Sequence, residues 1–248
     1  MTRALVVLLA AGSAISAAAS AAELKVMMIG AINPGFSNIA EQYKRETGNA
    51  IVMLNDTAPG LARRIAGGET GDILIAPVAT IDEVAKQSKV IAATRTPVAR
   101  VGIGVAVRRG AAAPNVAGVD ALKQALLNAE SIIYNQGSSG LYIQMLFEQM
   151  GIAKQLEAKT VRFANAGQVV NRVMEGKGNE IGFAPLPEIM SSDQTKLQLV
   201  GPLPAAVQNY TAYEGVVMTG GTADAAKDFI RYLTMPAARK TFAAAGVE

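Results

Sequence analysis

The chain has 248 residues, half of them apolar and 17% charged, enough for the core of one large domain or two ordinary ones. It contains no Cys, His or Trp, which excludes disulfides, thiolate nucleophiles, Cys-ligated metal centres, imidazole bases and Ser-His-Asp triads. The net charge is +3, and the basic residues form no run beyond Arg63-Arg64 and Arg108-Arg109. No nucleic-acid partner is therefore expected. Nothing calls for a cofactor or a metal, and the balance shifts toward binding rather than reaction.

Residues 1–22 read as a secretory signal peptide. Arg3 is its charged start, Ala4 to Ala11 its apolar stretch, and Ala19-Ser20-Ala21 or Ser20-Ala21-Ala22 its small-residue cleavage site. The apolar stretch is far shorter than a membrane span. The expectation is a cleaved, periplasmic protein that does not insert into the membrane.

Leu24 to Gly30 is an apolar run suited to a doubly buried strand. Phe36, Ile39, Ala40 and Tyr43 then share one helical face. Ala50 to Leu54 is the next strand, Leu61 to Ile65 starts a helix, and Asp72 to Ala76 is a strand. Thr80 with Glu83 reads as a capping box opening a further helix. Strands follow at Val101–Val107, Ser131–Tyr134, Thr160–Phe163, Glu180–Ala184, Leu197–Val200 and Gly215–Met218. Helices are expected near 120–129, 140–150, 168–175, 224–234 and 236–244. This rhythm predicts an α/β fold with mostly parallel sheets.

Ligands in such folds lie beyond the carboxyl ends of strands, against helix N-termini. Three junctions are rich in Gly and short polar residues: Gly30-Ala31-Ile32-Asn33-Pro34-Gly35, Asn55-Asp56-Thr57-Ala58-Pro59-Gly60 and Asn135-Gln136-Gly137-Ser138-Ser139-Gly140. Each alone is an ordinary cap or turn; together they suggest one shared cleft. Arg100 is either a partner for a ligand carboxylate or a solvated surface residue. Asp72 and Glu214 suit capping or ion pairing better than acid–base work.

Several segments, taken in order, carry a resemblance: Leu24-Lys25-Val26-Met27-Met28-Ile29-Gly30-Ala31, Ile39-Ala40-Glu41-Gln42-Tyr43-Lys44, Gly60-Leu61-Ala62-Arg63-Arg64-Ile65 and Gly71-Asp72-Ile73-Leu74-Ile75-Ala76. Further on come Ser139-Gly140-Leu141-Tyr142, Glu180-Ile181-Gly182-Phe183 and Phe229-Ile230-Arg231-Tyr232-Leu233. The chain resembles the periplasmic molybdate-binding-like proteins of ABC importers, a type II periplasmic binding protein family.

The resemblance implies two α/β lobes joined by two crossing strands, with residues 23–104 and 206–248 in the first lobe and 105–205 in the second. It also implies a small anion clamped between the lobes, delivery to an ABC permease by a monomer, and no catalysis. It places Ala31 and Ala58, with Ile32, Asn33 and Thr57 beside them, where the family offers serine hydroxyls. It places Pro185 where the family has a tyrosine, and Ser138, Ser139, Gly140 and Gly167 as second-lobe donors. The missing hydroxyls favour an organic carboxylate, with Arg100 as its charged partner. A true molybdate or tungstate binder is the alternative within the class. An exported hydrolase with Ser138 or Ser139 as nucleophile is the alternative outside it.

Overall fold

The computed structural model describes residues 21–248; the expected signal segment lies almost entirely outside them. The chain opens with β1 (Glu23–Ile29), α1 (Asn33–Thr47), β2 (Ala50–Asp56), α2 (Ala58–Ala66), β3 (Ile73–Pro77), α3 (Val78–Lys86) and β4 (Thr96–Val101). It continues with β5 (Ile103–Arg108), α4 (Val119–Asn128), β6 (Ser131–Asn135), α5 (Ser138–Gln149), α6 (Ala153–Leu156), β7 (Thr160–Phe163), α7 (Ala166–Met174), β8 (Glu180–Pro185), α8 (Leu186–Ser191) and β9 (Leu197–Pro202). It finishes with β10 (Thr211–Val217), α9 (Ala223–Leu233) and α10 (Pro236–Ala244).

Two five-stranded sheets result, ordered β2-β1-β3-β10-β4 and β7-β6-β8-β5-β9. In each, three strands run parallel, β2-β1-β3 and β7-β6-β8. The antiparallel pairings are made by β10 and β5. Both of these strands arrive from the opposite sheet, so they run against the parallel set they join. The parallel expectation thus holds for the βαβ units, and the mixed character comes from the crossings.

The single strand expected over Val101–Val107 is broken at Gly102, where the chain leaves one sheet for the other. A Cβ at Gly102 would stand 3.2 Å from the Tyr210 ring, so the crossing segments pass too closely there for an easy side chain. The Gln208 side chain bridges them. It accepts from the Ile103 N–H at 2.9 Å and donates to the Ile103 carbonyl at 3.0 Å, in the manner of a strand pair.

The first lobe has one core, in which Phe36 and Tyr43 of α1 meet Phe229 of α9 edge to face. The second has an apolar cluster on each side of its sheet, including Leu122, Leu126 and Phe147 in one and Val169, Val173 and Ile189 in the other. Each large apolar side chain fully buried in this way stabilises by about 1.5–3 kcal/mol. The Thr80–Glu83 box does not form. The third helix begins three residues earlier, at Val78 behind its N-cap Pro77, and Thr80 is buried inside it without a capping bond.

Candidate functional site

The six parallel strands β1, β2, β3, β6, β7 and β8 end on one cleft of about 500 Å³ between the two sheets. Its wall carries Ala31, Asn33, Asn55, Asp56, Thr57, Ala58, Pro77 and Tyr213 from one side. From the other come Asn135, Gly137, Ser138, Ser139, Asn165, Gly167, Pro185, Glu188 and Ser191. This is the crevice at strand carboxyl ends where open α/β sheets take ligands. Helices α1, α2, α3, α5, α7 and α8 all begin at residues of its wall, so their partial positive ends gather around one volume.

Several polar side chains on the wall have spent acceptors on the protein. Asn135 is buried, and its Oδ1 accepts from Gly137 N at 2.6 Å. That bond fixes the amide orientation, so Nδ2 donates to Ser139 Oγ at 2.9 Å. The Ser139 hydroxyl, already accepting, has its hydrogen left to give. Asn33 Oδ1 receives Ser37 Oγ at 3.3 Å and Asn55 Nδ2 at 3.4 Å, leaving its own Nδ2 hydrogens unspent. Asn165 Oδ1 caps α7 by accepting from Gln168 N at 3.0 Å, which again leaves an amide donor. Gly137, the residue before α5, supplies no side-chain cap. The first-turn N–H groups of Ser138 and Ser139 therefore belong among the orphan donors of a helix start. The donors of the cleft are neutral, with no Lys or Arg among its lining residues.

The acids on the wall differ. Asp56 is committed: it accepts from Thr57 N at 2.7 Å and pairs with Arg64 at 2.9 Å. Glu188 has no side-chain partner among the described residues, and burial pushes its carboxyl above the usual carboxylate range. Burial also pushes the Tyr213 phenol up to about 12, so it stays a hydroxyl at neutral pH.

Of the residues expected from the sequence, Ala31, Asn33, Thr57, Ala58, Ser138, Ser139, Gly167 and Pro185 lie on the cleft wall. Three do not. Ile32 turns into the first core and is fully buried. Gly140 is a packing residue: a Cβ there would stand 1.6 Å from the Asn135 carbonyl oxygen, so its hydrogen lets α5 start close against β6. Arg100 corrects the expected charged donor. Its guanidinium pairs with Glu248 at 2.5 Å and lies 4.8 Å from the Tyr210 ring centre, on exposed surface away from the cleft.

Sequence reasoning missed Tyr213, Glu188, Asn165 and Ser191 as wall residues. Tyr213 matters most, because it brings a phenol to the wall from β10, where Pro185 offers none. A side groove lined by Arg63, Thr80, Glu83 and Gln136 shares Ala58, Gly137 and Ser138 with the cleft. Arg63 has no ion-pair partner among the described residues. Among the described residues neither serine hydroxyl donates to a general base; Ser139 Oγ accepts from Asn135 Nδ2.

Residues 24–248 match the model of the bacterial extracellular solute-binding protein family. The chain belongs to that family. A curated relative, an aconitate isomerase from a Pseudomonas species, is 29% identical over 254 residues, spanning 100% of this chain and 95% of that protein. Among solved structures, the periplasmic molybdate-binding protein of Azotobacter vinelandii superposes with a TM-score of 0.76 at 19% identity, covering 91% of this chain and 98% of its own. L-phospholactate-bound Peb3, a protein of Campylobacter jejuni, superposes at 0.70 with 16% identity, covering 91% and 99%. At these identities the solved structures show the shared fold: two mixed α/β sheets with flanking helices, as in type II periplasmic binding proteins.

Proposed function

We propose that this family member is exported and holds a small organic anion with more than one carboxylate in the cleft, for delivery to an ABC permease. The observation that carries the reading is the donor array: the amide oxygens of Asn33, Asn135 and Asn165 accept from the protein, which leaves amide, hydroxyl and helix N-terminal donors for a ligand. Size supports it. A tetrahedral oxyanion, with four oxygens each about the size of a water, fills roughly 120 Å³, a quarter of the cleft. The groove with Arg63 gives a longer anion somewhere to place a distal carboxylate. The relative named for aconitate, a tricarboxylate, supports this ligand class, and the phospholactate-bound neighbour holds an organic anion with one carboxylate and one phosphate.

The test is a thermal-shift screen followed by calorimetry against tricarboxylates, dicarboxylates, molybdate and sulfate. A ligand that binds only the folded state raises the melting temperature, by more the further its concentration exceeds its Kd. Tricarboxylates are expected to give the largest shift. Tight molybdate binding with no carboxylate response would overturn the reading.

A further inference from the structure

We propose that Glu188 makes the cleft selective for hydroxylated acids, its carboxylate accepting the hydrogen of a hydroxyl group carried by the bound polycarboxylate. This selectivity rests on the carboxylate-binding reading and deepens it by naming the ligand group that is not a carboxylate. Glu188 is the misfit on a wall rich in donors. It stands half-buried in the first turn of α8, and a Cβ at Gly167 would lie 3.3 Å from its Oε1. Its carboxylate therefore comes up against the first turn of α7. The hydrogen bonds at this residue nevertheless go to its backbone carbonyl, from the Ser192 hydroxyl at 2.6 Å and the Ser191 hydroxyl at 3.3 Å. Among the described residues the sealed polar side-chain atoms without a partner are Arg108 Nε and Ser131 Oγ. The Glu188 oxygens are not among them, so these two free acceptors stay reachable from the cleft.

The surroundings supply no partner. Helix α8 packs on α1, α7, β5, β8 and β9. Arg172 of α7 is paired with Glu180 of β8 at 3.6 Å. Arg108 ends β5 at the opposite end from Ile103, which pairs with Pro185 beside α8. Glu41, Lys44, Arg45 and Glu46 sit in the later turns of α1, and β9 carries no charge. Asp56, the other acid on the wall, is bound to Arg64 and the Thr57 N–H. A ligand that brought carboxylates alone would set them beside a negative group and cover its oxygens without giving them a bond. That arrangement is costly, because a desolvated acceptor left unpaired loses its water for nothing. A ligand hydroxyl removes the fault. An ammonium group would satisfy Glu188 too, but the helix N-termini gathered at the cleft oppose a cation.

A hydroxyl also accepts, and the same corner has a donor for it. The point 3.3 Å from Glu188 Oε1 where a Gly167 Cβ would stand is 3.5 Å from Asn165 Oδ1. That oxygen is spent on Gln168 N, so the Asn165 amide hydrogens remain to give. One ligand hydroxyl can therefore donate to Glu188 and accept from Asn165, while the ligand carboxylates take the first-turn N–H groups of Ser138 and Ser139 and the Ser139 hydroxyl. A site that hydrogen-bonds a hydroxyl rejects the analogue lacking it, because the group built to receive it is left unpaired. A bond between a hydroxyl and an ionised carboxylate corresponds to about 10- to 150-fold in affinity.

The experiment is titration calorimetry with two matched sets of acids, at a pH where every carboxylate is ionised. Citrate is set against propane-1,2,3-tricarboxylate, from which it differs by one hydroxyl. Malate is set against succinate and aspartate, which carry a hydrogen or an ammonium in place of the hydroxyl. The wild type is expected to favour the hydroxy acid of at least one set by about 10- to 150-fold. Glu188→Ala, checked for folding by circular dichroism, should bring that ratio close to one and bind the plain acid at least as well as the wild type does. General damage to the cleft would instead weaken both acids alike, and the wild-type ratios remain a test even if the variant does not fold. Repeating the titrations in buffers of different ionisation enthalpy counts protons taken up on binding. Equal or reversed affinities in both sets, or aspartate bound above malate, overturn the hydroxyl assignment and leave the polycarboxylate reading standing. Uptake of a proton with the hydroxy acid that Glu188→Ala abolishes also overturns it, because Glu188 would then be a donor. A preference that survives in Glu188→Ala overturns the role of Glu188. Absence of binding by all of these acids overturns the reading beneath it.

Discussion

Replacing Ser139 by Ala separates the structural and the recognition roles of one hydroxyl. The Ser139 Oγ accepts from the buried Asn135 Nδ2 at 2.9 Å, and Asn135 has its other end fixed on Gly137 N. Without the oxygen, Nδ2 loses its acceptor in a place water does not easily reach, a loss of about 1–3 kcal/mol. For a chain of this size that is roughly 2–12 °C in melting temperature. On the proposed reading the same change removes a hydroxyl hydrogen that can be given to the ligand. A hydrogen bond to a charged group contributes about 1.5–3 kcal/mol, so affinity for a polycarboxylate should fall roughly 10- to 150-fold. Differential scanning calorimetry reads the first quantity and titration calorimetry the second. Ligand affinity unchanged alongside a lowered melting temperature would refute the donor role and leave Ser139 as a support for Asn135 alone.

Arg100→Ala should leave carboxylate affinity within about threefold, because the residue pairs with Glu248 on the surface, where such pairs contribute about 0–1 kcal/mol; a large loss by calorimetry would put Arg100 in the site after all. Gly140→Ala forces α5 away from β6 and should destabilise by about 1–3 kcal/mol or more, with ligand binding impaired; a melting temperature equal to wild type would contradict the packing account. Tyr213 makes stability fall in alkali. Its folded pKa of about 12 lies above the ordinary 10.0, so its contribution is complete below pH 10 and is lost as pH climbs toward 12, by about 2–3 kcal/mol. Urea midpoints across that range in wild type and Tyr213→Phe check it, since the variant should lack this part of the decline.

The fold was legible because its βαβ units write their periods locally. Leu24 to Gly30 and the face Phe36, Ile39, Ala40 and Tyr43 are readable within a dozen residues, and both fall where strand and helix form. The crossings were not legible in the same way. Val101 to Val107 is one continuous apolar run, and only the close passage of the Tyr210 segment shows why Gly102 divides it between two sheets. The site shows the same contrast. Ser138, Ser139 and Thr57 announce themselves as short polar residues opening helices. Tyr213 and Glu188 do not, because Tyr213 sits in an ordinary strand and Glu188 in a six-residue helix behind Pro185. They reach the cleft only through the return of β10 beside β3 and the placement of α8. Arg100 misled for a related reason: a charge beside a strand end gives no sign of which way it points, and its partner lies 148 positions further on.

Gln208 ties residue 103 of the outgoing connection to the returning one across 105 positions of chain. The two connections therefore cannot flex independently; they act as a two-ply strap. Any swing of one sheet toward the other has to bend that strap, whose stiffness resides in Gly102, Gln208 and Tyr210 rather than in either core or in the donors around the ligand. Apparent affinity scales with the fraction of molecules already in the competent form. Substitutions in the strap can thus tighten or loosen grip on every ligand by a common factor while leaving the ranking among ligands to the wall, so strength and selectivity are adjustable along separate parts of the sequence.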